Sequence, residues 1–262
     1  MALIVAYDGG PWKGFARQPG QATVQAELER ALEELLGAPV RVRGAGRTDA
    51  GVHAAGQVVD LALPARCSIP LERMPLALGA HLPPSIVCWS AHRVPAAFHA
   101  RKSALSKRYR YRIWRGRVPS PFVSAFCHTY AGPLDVPAMR AAAAALVGRY
   151  DVSSFAGAAR RVSDPVRSVL DCAVQERGLL LSLEVEADGF LYRMVRAIAG
   201  TLLEVGRGAL APERVGEVRA ARLRGRAGPS LPAEGLCLLW VRYAAHWGLP
   251  SPTDPGAWPP PP

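Results

Sequence analysis

Lysine is nearly absent from this chain. Lys13, Lys102 and Lys107 are the only three, and every other basic residue is arginine. Acids are scarce too, 21 against 32 basic residues, which leaves a formal net charge of +11. Such an excess favours a polyanionic partner, most often nucleic acid and sometimes an anionic membrane. Arginine suits RNA because its guanidinium grips phosphate in two places and stacks on bases. A GC-rich coding sequence would also raise the arginine share, but not the net charge. Cysteine pairs are missing as well: Cys67, Cys88, Cys127, Cys172 and Cys237 are scattered, odd in number and never in a C-x-x-C pair. That is the pattern of reduced thiols in a cytoplasmic protein and argues against a zinc site. No stretch reaches the roughly 18 apolar residues of a membrane span. The opening "MALIVAYDGG" lacks the length and charged flank of a signal peptide. The expectation is a soluble, cytoplasmic protein with no membrane partner. There is no G-x-x-x-x-G-K-[ST], no G-x-G-x-x-G opening a helix, no H-E-x-x-H and no G-x-S-x-G. Neither a nucleotide cofactor nor a metal is expected.

What the 262 residues do contain is enough apolar side chain, half of the total, for a sizeable core. "ALIVAYD" (2–8) is a strand closed by a turn cluster. "TVQAELERALEELLG" (23–37) has the spacing of a helix, with Thr23 to cap it and Gly37 to end it. "PVRVR" (39–43) and "QVVDLAL" (57–63) are expected as strands, which puts the glycine-rich stretch 44–54 on the connection between them. A weak helix near 70–80 and a strand near 86–93 follow. The C-terminal part predicts a helix at 135–148, strands at 166–175 and 178–187, helices at 188–206 and 212–224, and a strand at 236–243. Hairpin-length connections suggest much antiparallel pairing. The fold class is α+β in two halves: residues 1–130 with the glycine-rich loop, and 131–248 with the 188–206 helix. The proline-rich 249–262 is expected to be a disordered tail.

Three places carry chemistry. Between Arg101 and Arg117 there are eight basic residues and no acid. There Tyr109, Tyr111 and Ile113 share one face of a strand, and Arg108, Arg110 and Arg112 the other. Interleaved aromatics and arginines can hold RNA phosphates while rings stack on bases, or can be a core face and a solvated face. On the 188–206 helix, Arg196 sits with Tyr192, Ala199, Gly200 and Leu203, small enough in part for another backbone to come close. A buried arginine there needs an anion, since unpaired burial costs several kcal/mol; Asp49 would suit, and snorkelling to water is the alternative. The third place is "GAGRTDAGVHA" (44–54). Asp49 is the only acid between Glu34 and Asp60, and Arg47 is two residues away. A lone carboxylate kept ionised by a cation can act as nucleophile or base, or simply form a turn. His53 and His99 have no partner at metal-ligand spacing.

"AGRTDAGVHAAGQV" (45–58) closely resembles the catalytic segment of the tRNA pseudouridine synthase A family. "YDGGPWKGFARQ" (7–18), "FHARKSALSKRYRYRI" (98–113), "DVSSFAG" (151–157), "FLYRMVRAIAGTLLEVG" (190–206) and "EGLCLLWVRY" (234–243) resemble further family segments, in family order. The departures are small: Trp12 stands where tyrosine is frequent, and "GFARQ" where "GWQ" is common. The resemblance implies a pseudouridine synthase fold, a largely antiparallel sheet flanked by helices with the active-site cleft between its halves. It also implies isomerisation of uridine to pseudouridine at positions 38 to 40 of the tRNA anticodon stem-loop, without cofactor or metal. By this resemblance Asp49 is the catalytic nucleophile, attacking ribose or base, and Arg196 is its cationic partner. Arg47 helps to flip the base, and Tyr109 packs on it. Arg101, His53, Arg108 and Arg110 belong to the substrate-binding surface. The partner is tRNA, bound across a homodimer. A non-catalytic RNA-binding protein, with Asp49 and Arg196 as a structural ion pair, would have the same composition.

Overall fold

A computed structural model of the chain describes residues 1–64, 67–157 and 163–254. Its chain is mixed α+β, and its strands pair mainly antiparallel with helices alongside. Two compact units are formed, one by Met1–Ser106 with the chain from Cys237 on, the other by Lys107–Leu236. These units cut the chain differently from the halves drawn at residue 130. Among the described residues no helix is long and apolar enough to cross a membrane.

In the first unit β1 (Ala2–Tyr7) runs antiparallel to both β3 (His53–Asp60) and β4 (Ile86–His92). The short β2 (Arg43–Gly44) and the late β10 (Leu236–Tyr243) also pair with β3. Val5 opposes Gln57 but Tyr7 opposes Ala54, so β3 carries one residue more than β1 there. Such a bulge re-aims the strand next to it, and here it lies where the 44–54 loop joins β3. Helix α1 (Val24–Leu36) forms as its pattern predicts. Thr23 caps it, Gly37 leaves it at φ 66°, and Val24, Leu28, Ala31 and Leu32 are buried. Each of the two leucines gains about 1.5–3 kcal/mol from that burial. Helix α2 (Met74–Gly79) packs on β4.

The strand expected at 39–43 does not form; only Arg43 and Gly44 reach β3. Val40 and Val42 are buried as an alternating strand would bury them. The backbone of Val42, however, is taken by α1: its N–H donates to Glu29 Oε1 at 3.1 Å and its carbonyl accepts from Gln25 Nε2 at 3.1 Å. Two side chains thus fill the groups that a ladder would have used.

In the second unit β5 (Ala104–Trp114), β9 (Leu180–Ala187), β8 (Val166–Arg177) and β7 (Gly148–Asp151) lie side by side, all antiparallel. β6 (His128–Thr129) runs parallel to the end of β5. Helix α3 (Val136–Ala144), capped by Asp135, packs on β8 and on α4 (Met194–Gly206). Helix α5 (Arg214–Ala221) follows. The helix expected from 188 begins only at Met194, because Arg193 holds φ 57° and turns the chain just before it. Tyr192 therefore does not share a helix face with Arg196. Of the expected tail, residues 255–262 lie outside the described residues, while Leu249 is 9 % exposed and residues 251–254 form a hydrogen-bonded turn.

Candidate active site

The segment 44–54 is built into the first unit from two directions. On the β3 side, the Ala45 N–H donates to the Val58 carbonyl at 2.8 Å, and Gln57 Nε2 donates to the Gly46 carbonyl at 2.9 Å. On the other side lies the turn after β1. Tyr7 and Thr48 share a hydrogen bond of 2.8 Å between their hydroxyls, and the Phe15 N–H donates to the Thr48 carbonyl at 3.0 Å. The Gly9 N–H donates to His53 Nδ1 at 3.0 Å, and the Asp8 carboxylate lies 3.1 Å from the same nitrogen. Residues immediately before and a few positions after Asp49 are therefore fixed by one short stretch of chain. Asp49 closes its own turn, its carbonyl accepting from the Val52 N–H at 3.1 Å.

Close backbone approach explains one glycine here, and a left-handed turn another. A Cβ on Gly9 would stand 2.1 Å from the Val52 carbonyl oxygen, so only glycine lets the two segments meet. Gly51 turns with φ 77° just after Asp49. Of Gly44, Gly46 and Gly51 it alone takes a positive φ; Gly44 instead lies against the Phe15 ring. Burial holds the Tyr7 phenol well above its ordinary pKa, with the Thr48 hydrogen bond pulling weakly the other way. Tyr7 is thus a neutral strut under the loop. Arg47 is exposed and Asp49 half-buried, whereas His53 is buried at 2 % exposure. Arg101, further along this unit, is exposed.

The second unit carries the other candidates. Tyr109 is buried on β5, and the Phe190 ring meets it edge-on at 4.9 Å. Arg196, on the first turns of α4, donates from Nε to the Leu231 carbonyl at 2.6 Å, and the Leu231 N–H returns to the Arg196 carbonyl at 3.2 Å. The small residues beside Arg196 do admit another backbone. It is the segment 228–231, close enough that a Cβ on Gly200 would fall 1.8 Å from the Pro229 oxygen. Leu231, Pro229 and Phe190 were not singled out in the sequence, and no local pattern marks them.

Arg108 and Arg110 lie opposite Tyr109 on the strand, as alternation predicts, but they have carboxylate partners that alternation does not reveal. The Arg108 guanidinium meets Asp171 at 2.7 Å and Glu184 and Glu186 at 3.0 Å each. Arg110 meets Glu184 at 2.7 Å. Glu184 and Glu186 are buried, so these arginines compensate charges that could not stay unpaired inside the protein.

A family description for tRNA pseudouridine synthase matches residues 3–101 and 142–244. The tRNA pseudouridine synthase A of Moorella thermoacetica is 45 % identical over 93 % of this chain and 99 % of its own length. That of Halalkalibacterium halodurans is 44 % identical over 90 % of this chain and 89 % of its own. That of Shouchella clausii is 46 % identical over 93 % of each. Among solved structures, a chain of the crystal structure of a Cbf5–Nop10–Gar1 complex is similar with a TM-score of 0.32 and 13 % identity, over 77 % of this chain and 54 % of that one; so weak a likeness has no bearing on the fold. The agreement with the curated relatives runs almost end to end and takes in the loop and both candidate units. The chain therefore belongs to the tRNA pseudouridine synthase family and is an isomerase of the tRNA-modifying kind.

Proposed function

We propose that the chain converts uridine to pseudouridine at positions 38 to 40 of the tRNA anticodon stem-loop, with Asp49 as nucleophile, base flipping and no cofactor. The observation that carries this reading is the double anchoring of the Asp49 loop. Tyr7 and Phe15 hold Thr48 directly before it, and Gly9 holds His53 after it. A carboxylate that only formed a turn would not require so exact a brace, whereas a nucleophile must be held to within about half an ångström. The reaction moves the sugar bond from N1 to C5 of the uracil. The proton lost from C5 is balanced by the one gained at N1, so atoms and electrons close without a co-reactant.

In this reading Arg196 supplies the cation that keeps Asp49 ionised, and its tie to Leu231 sets its aim. Tyr109, stiffened by Phe190, packs on the target base. Exposed Arg47 takes the place of the extruded nucleotide, whose unstacking costs a few kcal/mol. Arg101 meets phosphate at the surface. Arg108 and Arg110 act on the substrate through the strand that holds Tyr109, because their charge is already engaged by Asp171 and Glu184. His53 acts through the loop that it braces. The enzyme works in the cytoplasm as a homodimer that binds one tRNA across both subunits.

The test is pseudouridine formation on an unmodified transcript with uridines at 38 to 40, mapped by carbodiimide-dependent primer-extension stops. Wild type and Asp49→Asn run in parallel with a tRNA-binding assay. Product at those positions from wild type only, with binding retained in Asp49→Asn, is expected. Product from Asp49→Asn, or product confined to other arms of the tRNA, would overturn the respective part of the reading.

A further inference from the structure

Only two non-glycine residues among the described ones have a positive φ, and both are arginines: Arg193 at 57° and Arg222 at 52°. This region crowds Cβ against the following carbonyl, so a chain that merely needed the turn would place glycine or asparagine there. Arg222 has a protein partner, Asp151, at 3.6 Å. Arg193 does not: among the described residues its guanidinium makes no ion pair and stacks instead on the Tyr192 ring, 4.9 Å from its centre. Both side chains are exposed, the tyrosine by 43 %.

The turn that presents them is held firmly. The Gly157 N–H donates to the Tyr192 carbonyl at 2.7 Å, the Met194 N–H to Leu191 at 3.1 Å, and the Ala197 N–H to Arg193 at 3.0 Å. Leu191 is buried below it. The same few residues place Phe190 against Tyr109 and begin the helix that carries Arg196. Strain that surrounding structure over-determines tends to mark a site of use.

We propose that Arg193, stacked on Tyr192, is a phosphate-binding residue for the RNA substrate, and that the left-handed turn is kept to project it. The proposal rests on the reading of the chain as a tRNA-modifying enzyme. The guanidinium donates to a backbone phosphate, while the tyrosine ring holds it extended and presents a flat face to the adjoining sugar or base.

Two substitutions separate charge from strain. Arg193→Gly removes both; Arg193→Gln removes the charge and keeps the strained Cβ. For each, KM and kcat are measured with wild-type transcript, tRNA affinity is measured across salt concentrations, and thermal unfolding is recorded. Both variants are expected to raise KM about tenfold, the size of one charge-assisted contact at an exposed site. The plot of log affinity against log salt should lose about 0.7–0.9 of slope, one phosphate's worth. Arg193→Gly alone should melt higher, by about 2–4 °C. Unchanged KM and salt slope in a folded Arg193→Gly would overturn the proposal, as would a lower melting temperature in that variant, which would show that arginine serves the fold. A wild-type enzyme that binds tRNA with the full salt slope but makes no pseudouridine would instead defeat the functional reading and leave the contact standing.

Discussion

Helix α4 offers a prediction in which two well-known effects oppose each other. Replacing a helical glycine by alanine ordinarily stabilises by about 1 kcal/mol, because glycine loses the most backbone entropy on folding. At Gly200 the structure reverses the sign. The new Cβ would lie 1.8 Å from the Pro229 oxygen, and ordinary contact begins near 3.4 Å, so helix and segment must part by about 1.6 Å. Overpacking of this kind costs about 1–3 kcal/mol. The shift also breaks bonds across the same contact: Arg196 Nε to the Leu231 carbonyl, the Leu231 N–H to the Arg196 carbonyl, and the Gly228 N–H to Thr201 Oγ1 at 2.9 Å. Losing two or three such bonds adds about 1–3 kcal/mol. Against the propensity gain, Gly200→Ala should destabilise by about 1–5 kcal/mol. At about 2–4 °C per kcal/mol for a chain of this size, the melting temperature falls by roughly 2–20 °C. On the proposed role of Arg196, turnover of the folded enzyme should also fall, since Arg196 loses its tether. Gly216 in α5 is the control: a Cβ there meets nothing within 4 Å, so Gly216→Ala should gain about 0.5–1 kcal/mol. Calorimetry of the three proteins and a single-turnover assay decide the matter. A Gly200→Ala enzyme that melts no lower than wild type and turns over normally would refute the reasoning.

Three further outcomes concern His53 and the cysteines. His53→Asn keeps an acceptor near the position of Nδ1 for the Gly9 N–H, whereas His53→Leu leaves that buried donor without a partner, at about 1–3 kcal/mol; denaturant melts and kcat should rank wild type, then Asn, then Leu, and equal values for the two variants would show that the ring only fills space. Burial pushes the Cys88 and Cys172 thiols up to about 12 from the ordinary 9. Their protonated form favours the folded state, so stability should hold below pH 9 and decline as pH rises from 9 toward 12, read as melting temperature against pH. At pH 8 the half-exposed Cys67 should be the thiol that reacts rapidly with an aromatic disulfide reagent, the buried four following only on unfolding.

Parts of the fold were legible wherever the signal was local. Helix α1 follows from its apolar spacing with Thr23 and Gly37 at its ends, and β5 from the alternation of Tyr109, Tyr111 and Ile113 with arginines. β3 was placed too late because all eight of its residues are buried, which erases the alternation that marks a half-exposed strand. Residues 39–42 mimic a strand in pattern, but Glu29 and Gln25, more than ten positions away, take the backbone of Val42. The late start of α4 depends on Arg193, a residue whose type gives no warning of a left-handed turn. In the candidate site, Asp49, Arg47 and Arg196 could be singled out by charge and spacing. The partners of Arg108 and Arg110 could not, since they depend on the register that sets Arg108 opposite Glu186 and Arg110 opposite Glu184.

β10 lies parallel to β3 with Cys237 opposite His53, yet the whole second unit stands between them in the chain. During synthesis, at about 5–20 residues per second, β3 waits on the order of ten seconds or more for this neighbour. The second unit, made of consecutive residues, can fold in that interval; the first cannot be finished. The strand that follows the Asp49 loop is thus among the last parts of the sheet to be locked, and a nascent chain holds that loop in an unfinished frame until residues 236–243 arrive.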